Sequence, residues 1–186
     1  MAFEFISVNE AKKIIKENTL TFAPIKISLR DAAGMILAED VFSKIDIPAF
    51  NQSSMDGYAF NFKGWQLHNR LKIEGVMPAG LSDAAPLLPQ NAIRIFTGAV
   101  VPPGADTVVM QEKIKVDSSA GELIIEDDKL ELGLNVRLKG SEIKASALAL
   151  EKDSVLTPPA IGFLIGIGIV EVSVYPKPRI SIIVTG

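Results

Sequence analysis

The chain has 186 residues, 48% of them hydrophobic and 22% charged, a balance that suits a folded protein and argues against disorder. Its formal net charge of -3 and pI near 5.3 give no support to a nucleic-acid partner, which would show as clustered Lys and Arg. With no cysteine and a single histidine, His68, the chain excludes disulfides, thiolate zinc sites and two-histidine metal sites, leaving a hard cation on oxygen ligands, magnesium foremost, as the metal class to expect.

At the start, Met1-Ala2-Phe3-Glu4-Phe5 carries an acid and no basic leader, so no secretory signal is read there and a reducing cytoplasm is the expected location. Ser7 followed by Glu10 forms the pattern of a capping box, and Val8, Ala11, Ile14 and Ile15 recur at helical spacing, with Lys12, Lys13 and Lys16 on the wet side. That helix should stop near Asn18. A second short helix is expected after Ser28, broken at Gly34, and Met35 to Ile45 reads as extended chain.

From Gly57 to Asp128 the pattern is of strands. Gly57 to Phe62, Leu71 to Val76, Arg94 to Phe96 and Thr107 to Gln111 are short candidates. Gln66 to Arg70 reads as a loop carrying a surface His68. Lys113 to Asp117 alternates polar and apolar with period two; with the turn Ser118 to Gly121 and the return strand Glu122 to Glu126 it predicts a hairpin. Prolines at 78, 86, 89, 102 and 103 favour a compact β-rich region. Thr157 then suits an N-cap and Pro158 the first helical position, with Ala160 to Ile167 apolar nearly all round and so expected to be buried, ending at Gly168. The apolar stretch Ala160 to Val170 is too short to span a bilayer. Val170 to Val174 and Arg179 to Val184 follow as strands, the last a β-branched run of the kind found in buried parallel sheets. The fold class is therefore α+β: a β-rich, barrel- or sandwich-like domain inserted into one of short helices and extended strands.

Three segments concentrate candidate chemistry. In Pro48 to Ala59, Asp56 stands between the hydroxyls of Ser53 and Ser54 and Gly57, just before a strand; an Asp-Gly pair is also an ordinary turn signal, and physics alone favours the turn. In Arg94 to Asp106, Thr97 ends a strand ahead of Gly98, where a hydroxyl and neighbouring N–H groups could hold a phosphate, or simply close a loop. In Gly133 to Ile143, Arg137 and Lys139 stand two apart and on a strand would share a face toward an anion, while Glu142 offers a second loop carboxylate; all three are equally compatible with a solvated surface.

Taken in order, Ser53 to Ala59, Arg94 to Pro102, Val108 to Glu112, Gly133 to Arg137, Thr157 to Ile167 and Thr185-Gly186 resemble the molybdopterin molybdenumtransferase family, whose eukaryotic relative is the C-terminal domain of gephyrin. The resemblance implies a discontinuous linker domain (1–46 with 137–178), an inserted β-rich domain (47–136), and 179–186 as the first strand of an α/β molybdopterin-binding domain that is otherwise missing, so that the chain reads as a truncated front part. It implies insertion of molybdate into adenylylated molybdopterin with release of AMP, assisted by Mg²⁺. Asp56 and Glu142 are then the expected catalytic acids, Asp56 also touching Mg²⁺ through water, and Thr97, Ser54 and Arg137 the expected substrate-binding residues. Glu142 departs from the family's usual Asp by one methylene, a change that matters at hydrogen-bond distance. The family further implies a homodimer, with a molybdopterin adenylyltransferase and molybdoenzyme pathway proteins as other partners, and neither nucleic acid nor membrane. On this reading the 186-residue chain is inactive alone. The alternative is a non-catalytic dimerisation or scaffold module of the gephyrin type.

Overall fold

A computed structural model describes residues 6–184 except 21, 82 and 183, so the expectations resting on Met1 to Phe5 and on Thr185-Gly186 lie outside the described residues. In chain order the elements begin with α1 (Val8–Glu17), β1 (Ile25–Ser28), β2 (Ile36–Leu37), β3 (Val41–Phe42), β4 (Gln52–Ser53), β5 (Gly57–Phe60) and α2 (Phe62–His68). There follow β6 (Leu71–Met77), β7 (Asn91–Ile95), β8 (Thr107–Met110), β9 (Ile114–Asp117), β10 (Glu122–Ile125) and β11 (Val136–Arg137). The last are β12 (Leu148–Leu150), α3 (Pro158–Gly166) and β13 (Glu171–Tyr175). The chain divides into two compact units, one of residues 1–41 with 148–186, the other of residues 42–147.

In the first unit a three-stranded sheet has the order β1-β13-β2, and β13 pairs antiparallel with both neighbours. Val172 and Val174 of β13 alternate inward and are buried with Leu29, Leu37, Leu156 and Leu164. Ser7 opens α1 by accepting from the Glu10 N–H at 3.2 Å; among the described residues only this half of the expected capping box forms. At the other end the Asn18 side chain donates to the Ile14 carbonyl at 2.8 Å. After Ser28 the chain makes a single 3-10 turn, Leu29–Asp31, in place of the expected short helix. Thr157 caps α3 as expected, its hydroxyl accepting from the Ala160 N–H at 3.4 Å.

The second unit is built on a six-stranded sheet, β8-β5-β7-β6-β10-β9, in which β6 and β7 run parallel and the other neighbours antiparallel. Strand periodicity places its apolar residues on two faces. Ala59, Ile95 and Val108 meet Met77, Ala99 and Val101 on one side, and Phe60, Ala92 and Val109 meet Leu71 and Leu123 on the other. A small ladder joins β4 to β11, with Ser53 opposite Val136 and Gln52 opposite Arg137. The β9–β10 hairpin forms as its alternation predicts.

Three local expectations are corrected. The stretch around His68 is helical, because the Asn61 side chain caps the Gly64 N–H at 2.9 Å and Asn69, at φ +55°, terminates the helix; His68 is exposed on its last turn. Helix α3 is apolar but largely unburied, for Leu164 alone of its residues is buried while Phe163 and Ile165 are 44% and 50% exposed. Residues 179–182 form no strand: a β-branched run becomes one only when its backbone pairs, and none of these residues has a ladder partner among the described residues. No helix among the described residues is long and apolar enough to cross a membrane.

Candidate functional site

The candidate residues all lie in the second unit. The β5–β7 ladder begins with Gly57 opposite Ile95, so Asp56 sits one step past it, across from Phe96 and next to Thr97. There the Asp56 carboxylate receives two hydrogen bonds on Oδ1, from the Thr97 N–H at 2.8 Å and from the Thr97 hydroxyl at 2.8 Å. These bonds, the backbone one first, hold the Asp56 carboxyl below the ordinary aspartate value; desolvation opposes them and the charge of Arg94 assists. Both residues are exposed, and Oδ2 of Asp56 accepts no hydrogen bond among the described residues.

Each side of the pair is fixed locally. Gly57 cannot carry a side chain, since a Cβ there would stand 1.8 Å from the Val109 carbonyl oxygen of β8. The backbone N–H of Gln111 donates to the Asp56 carbonyl at 3.1 Å. On the other side the chain turns through Phe96 to Ala99 with Gly98 at φ +82°, closed by the Ala99 N–H to the Phe96 carbonyl at 2.9 Å. The Gly98 N–H then bonds the Ser53 carbonyl at 2.8 Å, while the Ser53 hydroxyl donates to the Met55 carbonyl at 2.6 Å. Segments 41 residues apart in sequence are thereby locked together around one carboxylate.

The other expected residues fall into a neighbouring group. Ser54 bonds the Asn135 carbonyl through its N–H at 3.0 Å and its hydroxyl at 3.1 Å. Arg137, on β11, makes an ion pair with Glu142 at 3.7 Å. Lys139 lies beyond that short strand and instead pairs with Asp46 at 3.4 Å. The two cations therefore do not form a joint positive face; each is answered by its own acid. Largely exposed pairs of this kind contribute little to stability.

Arg94 opens the segment that ends at Asp106, and nothing in its spacing marks a role for it. Its guanidinium donates to the Gly57 carbonyl at 2.8 Å, the Ile95 carbonyl at 3.1 Å and the Gln111 side-chain oxygen at 2.6 Å. It also lies 4.7 Å from the Phe96 ring centre and 5.5 Å from that of Tyr58. Register alone would have shown Arg94 opposite Tyr58, but not these bonds.

For magnesium the donor set is thin. No group of three or more acidic or histidine side chains able to hold a metal occurs among the described residues, and Asp56 has one free carboxylate oxygen to offer. The residues present do not by themselves make a cation site.

The chain belongs to the family described as MoeA N-terminal region (domain I and II), whose model matches residues 6–168. Among its relatives are the molybdopterin molybdenumtransferase of Staphylococcus epidermidis, 37% identical over 97% of this chain and 44% of that protein, and that of Haemophilus influenzae, 34% identical over 86% and 39%. The fold is similar to the molybdopterin biosynthesis MoeA protein of Pyrococcus horikoshii, with a TM-score of 0.83 at 28% identity, covering 94% of this chain and 45% of that one. The chain thus spans less than half the length of these relatives.

Proposed function

We propose that this chain supplies the Asp56 wall of a molybdenum-insertion site in molybdenum cofactor biosynthesis, where molybdate is transferred to the dithiolene sulfurs of adenylylated molybdopterin and water cleaves the phosphoanhydride to release AMP. The observation that carries the reading is the Asp56–Thr97 pair, a carboxylate fixed on one oxygen and open on the other, within a chain of this family.

Because its partners keep Asp56 ionised at neutral pH, the open oxygen is an acceptor. A bare anion such as molybdate is repelled by it. A proton-bearing group of the substrate is not, and Asp56 carries protons from the two dithiolene thiols to one oxo group, which departs as water as the two Mo–S bonds form. Thr97 has committed its hydroxyl proton to Asp56, so toward a ligand it presents a lone pair and acts chiefly by orienting the acid. Arg137 and Glu142 together, and Ser54 on the Asn135 carbonyl, form the adjoining anion-facing rim.

Asp56 and Thr97 are open to solvent, which supports a site completed by further protein: catalysis of this kind requires water to be excluded. The chain alone is therefore expected to release no AMP and insert no molybdenum. Self-association is supported by the exposed apolar residues Val8, Ile15, Phe163 and Ile165 of the first unit. The same surface favours the second reading, a scaffold module without chemistry. The test joins this chain to the remaining part of the Staphylococcus epidermidis relative and follows molybdenum insertion. Asp56→Ala is expected to lower the rate about 100-fold or more. Unchanged insertion with intact self-association would favour the scaffold.

A further inference from the structure

We propose that Arg94 is the positioning residue of the Asp56–Thr97 pair, a three-point clamp whose planar fork sets the geometry of the acid. The proposal rests on the functional reading above only in calling that acid the working group.

The geometry assigns each donor a distinct task. One nitrogen, Nη1, reaches the carbonyls of Gly57 and Ile95 at 2.8 and 3.1 Å, the opposed residues that end the β5–β7 ladder. Gly57 directly follows Asp56, and Ile95 is two residues before Thr97. The two strands that deliver the acid and its hydroxyl partner are thus pinned by a single atom at their exit. The other nitrogen, Nη2, holds the Gln111 side chain at 2.6 Å, and the Gln111 backbone N–H in turn binds the Asp56 carbonyl at 3.1 Å. Asp56 is bracketed from both main-chain directions while Arg94 does not bond its carboxylate.

The guanidinium carbon also lies 4.7 Å from the Phe96 ring centre and 5.5 Å from that of Tyr58, within cation–π reach of both, which adds to the hold of its three acceptors. Such a role depends on the fork and not on charge alone. A lysine keeps the charge but is a compact point donor and cannot reach the two carbonyls and the Gln111 oxygen from two separate nitrogens.

The experiment is amide hydrogen exchange by NMR on the 186-residue chain, comparing Arg94→Lys and Arg94→Met with the parent, and using Asp56→Ala to mark Thr97 released from its acid. Exchange at the Thr97 and Gln111 N–H groups is expected to rise roughly tenfold or more in both Arg94 variants, with Ala59 and Val109 in the strand interior unchanged. Parent-like exchange at Thr97 in Arg94→Met overturns the clamp, and restoration by Arg94→Lys overturns the claim that the fork is required. Should the strand-interior amides also lose protection, Gln111→Met decides, since it removes one acceptor and leaves Arg94 in place. Faster exchange of the backbone N–H at position 111 in that variant supports the clamp, and no change overturns it. These readouts involve no turnover, so they can fail while Asp56 proves essential for insertion, or succeed while it does not.

Discussion

The aspartate at 56 becomes informative through what touches it. An Asp-Gly pair before a strand is compatible with any tight turn. Two donors from one threonine on a single carboxylate oxygen, with the other oxygen open, are a more specific arrangement. Its neighbour shows how closely that position is built. Gly57→Ala would drive a Cβ into the Val109 carbonyl at 1.8 Å, against the backbone of Val109 and Met110 with no flexible side chain to yield. Urea unfolding of this variant is expected to show a loss of about 2–3 kcal/mol, at the upper end of overpacking costs. A loss within about 0.5 kcal/mol would mean that β5 and β8 separate freely there. The pairing of Asp56 with Thr97 was not legible in spacing, because it depends on the antiparallel register of β5 and β7, which no local pattern of residues 56 to 60 specifies.

At the scale of elements, legibility followed the strength of local chemistry. Ser7 and Thr157 marked the starts of α1 and α3, since a hydroxyl ahead of an apolar or proline-led run satisfies free N–H groups at once. The β9–β10 hairpin was equally open, its two-residue alternation interrupted by a single turn. Helix α2 was hidden by Gly64, a poor helix former placed there because the Pro89 carbonyl approaches to 2.0 Å of where a Cβ would be. Asn61 was the available signal: it caps Gly64, and its amide also binds the Gly104 carbonyl at 3.0 Å. Asn61→Ala is expected to cost about 1–2 kcal/mol in chemical denaturation, the cap and a tertiary bond being lost together. An unchanged midpoint would show that the Phe62 N–H bond to Asp106, at 2.8 Å, secures the helix start by itself. The parallel pairing of β6 with β7 was illegible for a different reason: the described residues of its connection contain no regular crossover element to announce it.

Across the whole molecule, several acids are tied down in the folded state. Asp46 accepts from the Ala145 N–H, Asp56 from Thr97, and Asp117 from Ser119 and Ala120, and each carboxyl is held below its ordinary value of 3.8. A depressed folded value means that the unfolded chain binds more protons as pH falls. Their contribution is therefore complete above the unfolded value and declines as pH drops through 3.8 toward the lower folded values. Thermal unfolding should thus be nearly constant with respect to these groups from pH 5 to 7 and fall below about pH 4. Stability that rose on acidification through that window would contradict the assignment. At the same scale, the α+β class was legible from the switch between helical and two-residue periodicity, whereas the exposed apolar surface of α3 was not. Composition reports that a helix is apolar, not which partner covers it.

The central claim, that Asp56 is the working carboxylate and that Thr97 acts through it, is most directly tested by a double-mutant cycle in the protein joined to the rest of the Staphylococcus epidermidis relative. Molybdenum insertion would be measured for Asp56→Ala, Thr97→Val and the two combined. The account predicts a large loss for Asp56→Ala, a smaller one for Thr97→Val, and a double variant no slower than Asp56→Ala alone. Insertion at the parent rate without Asp56, or losses that multiply in the double variant, would contradict it.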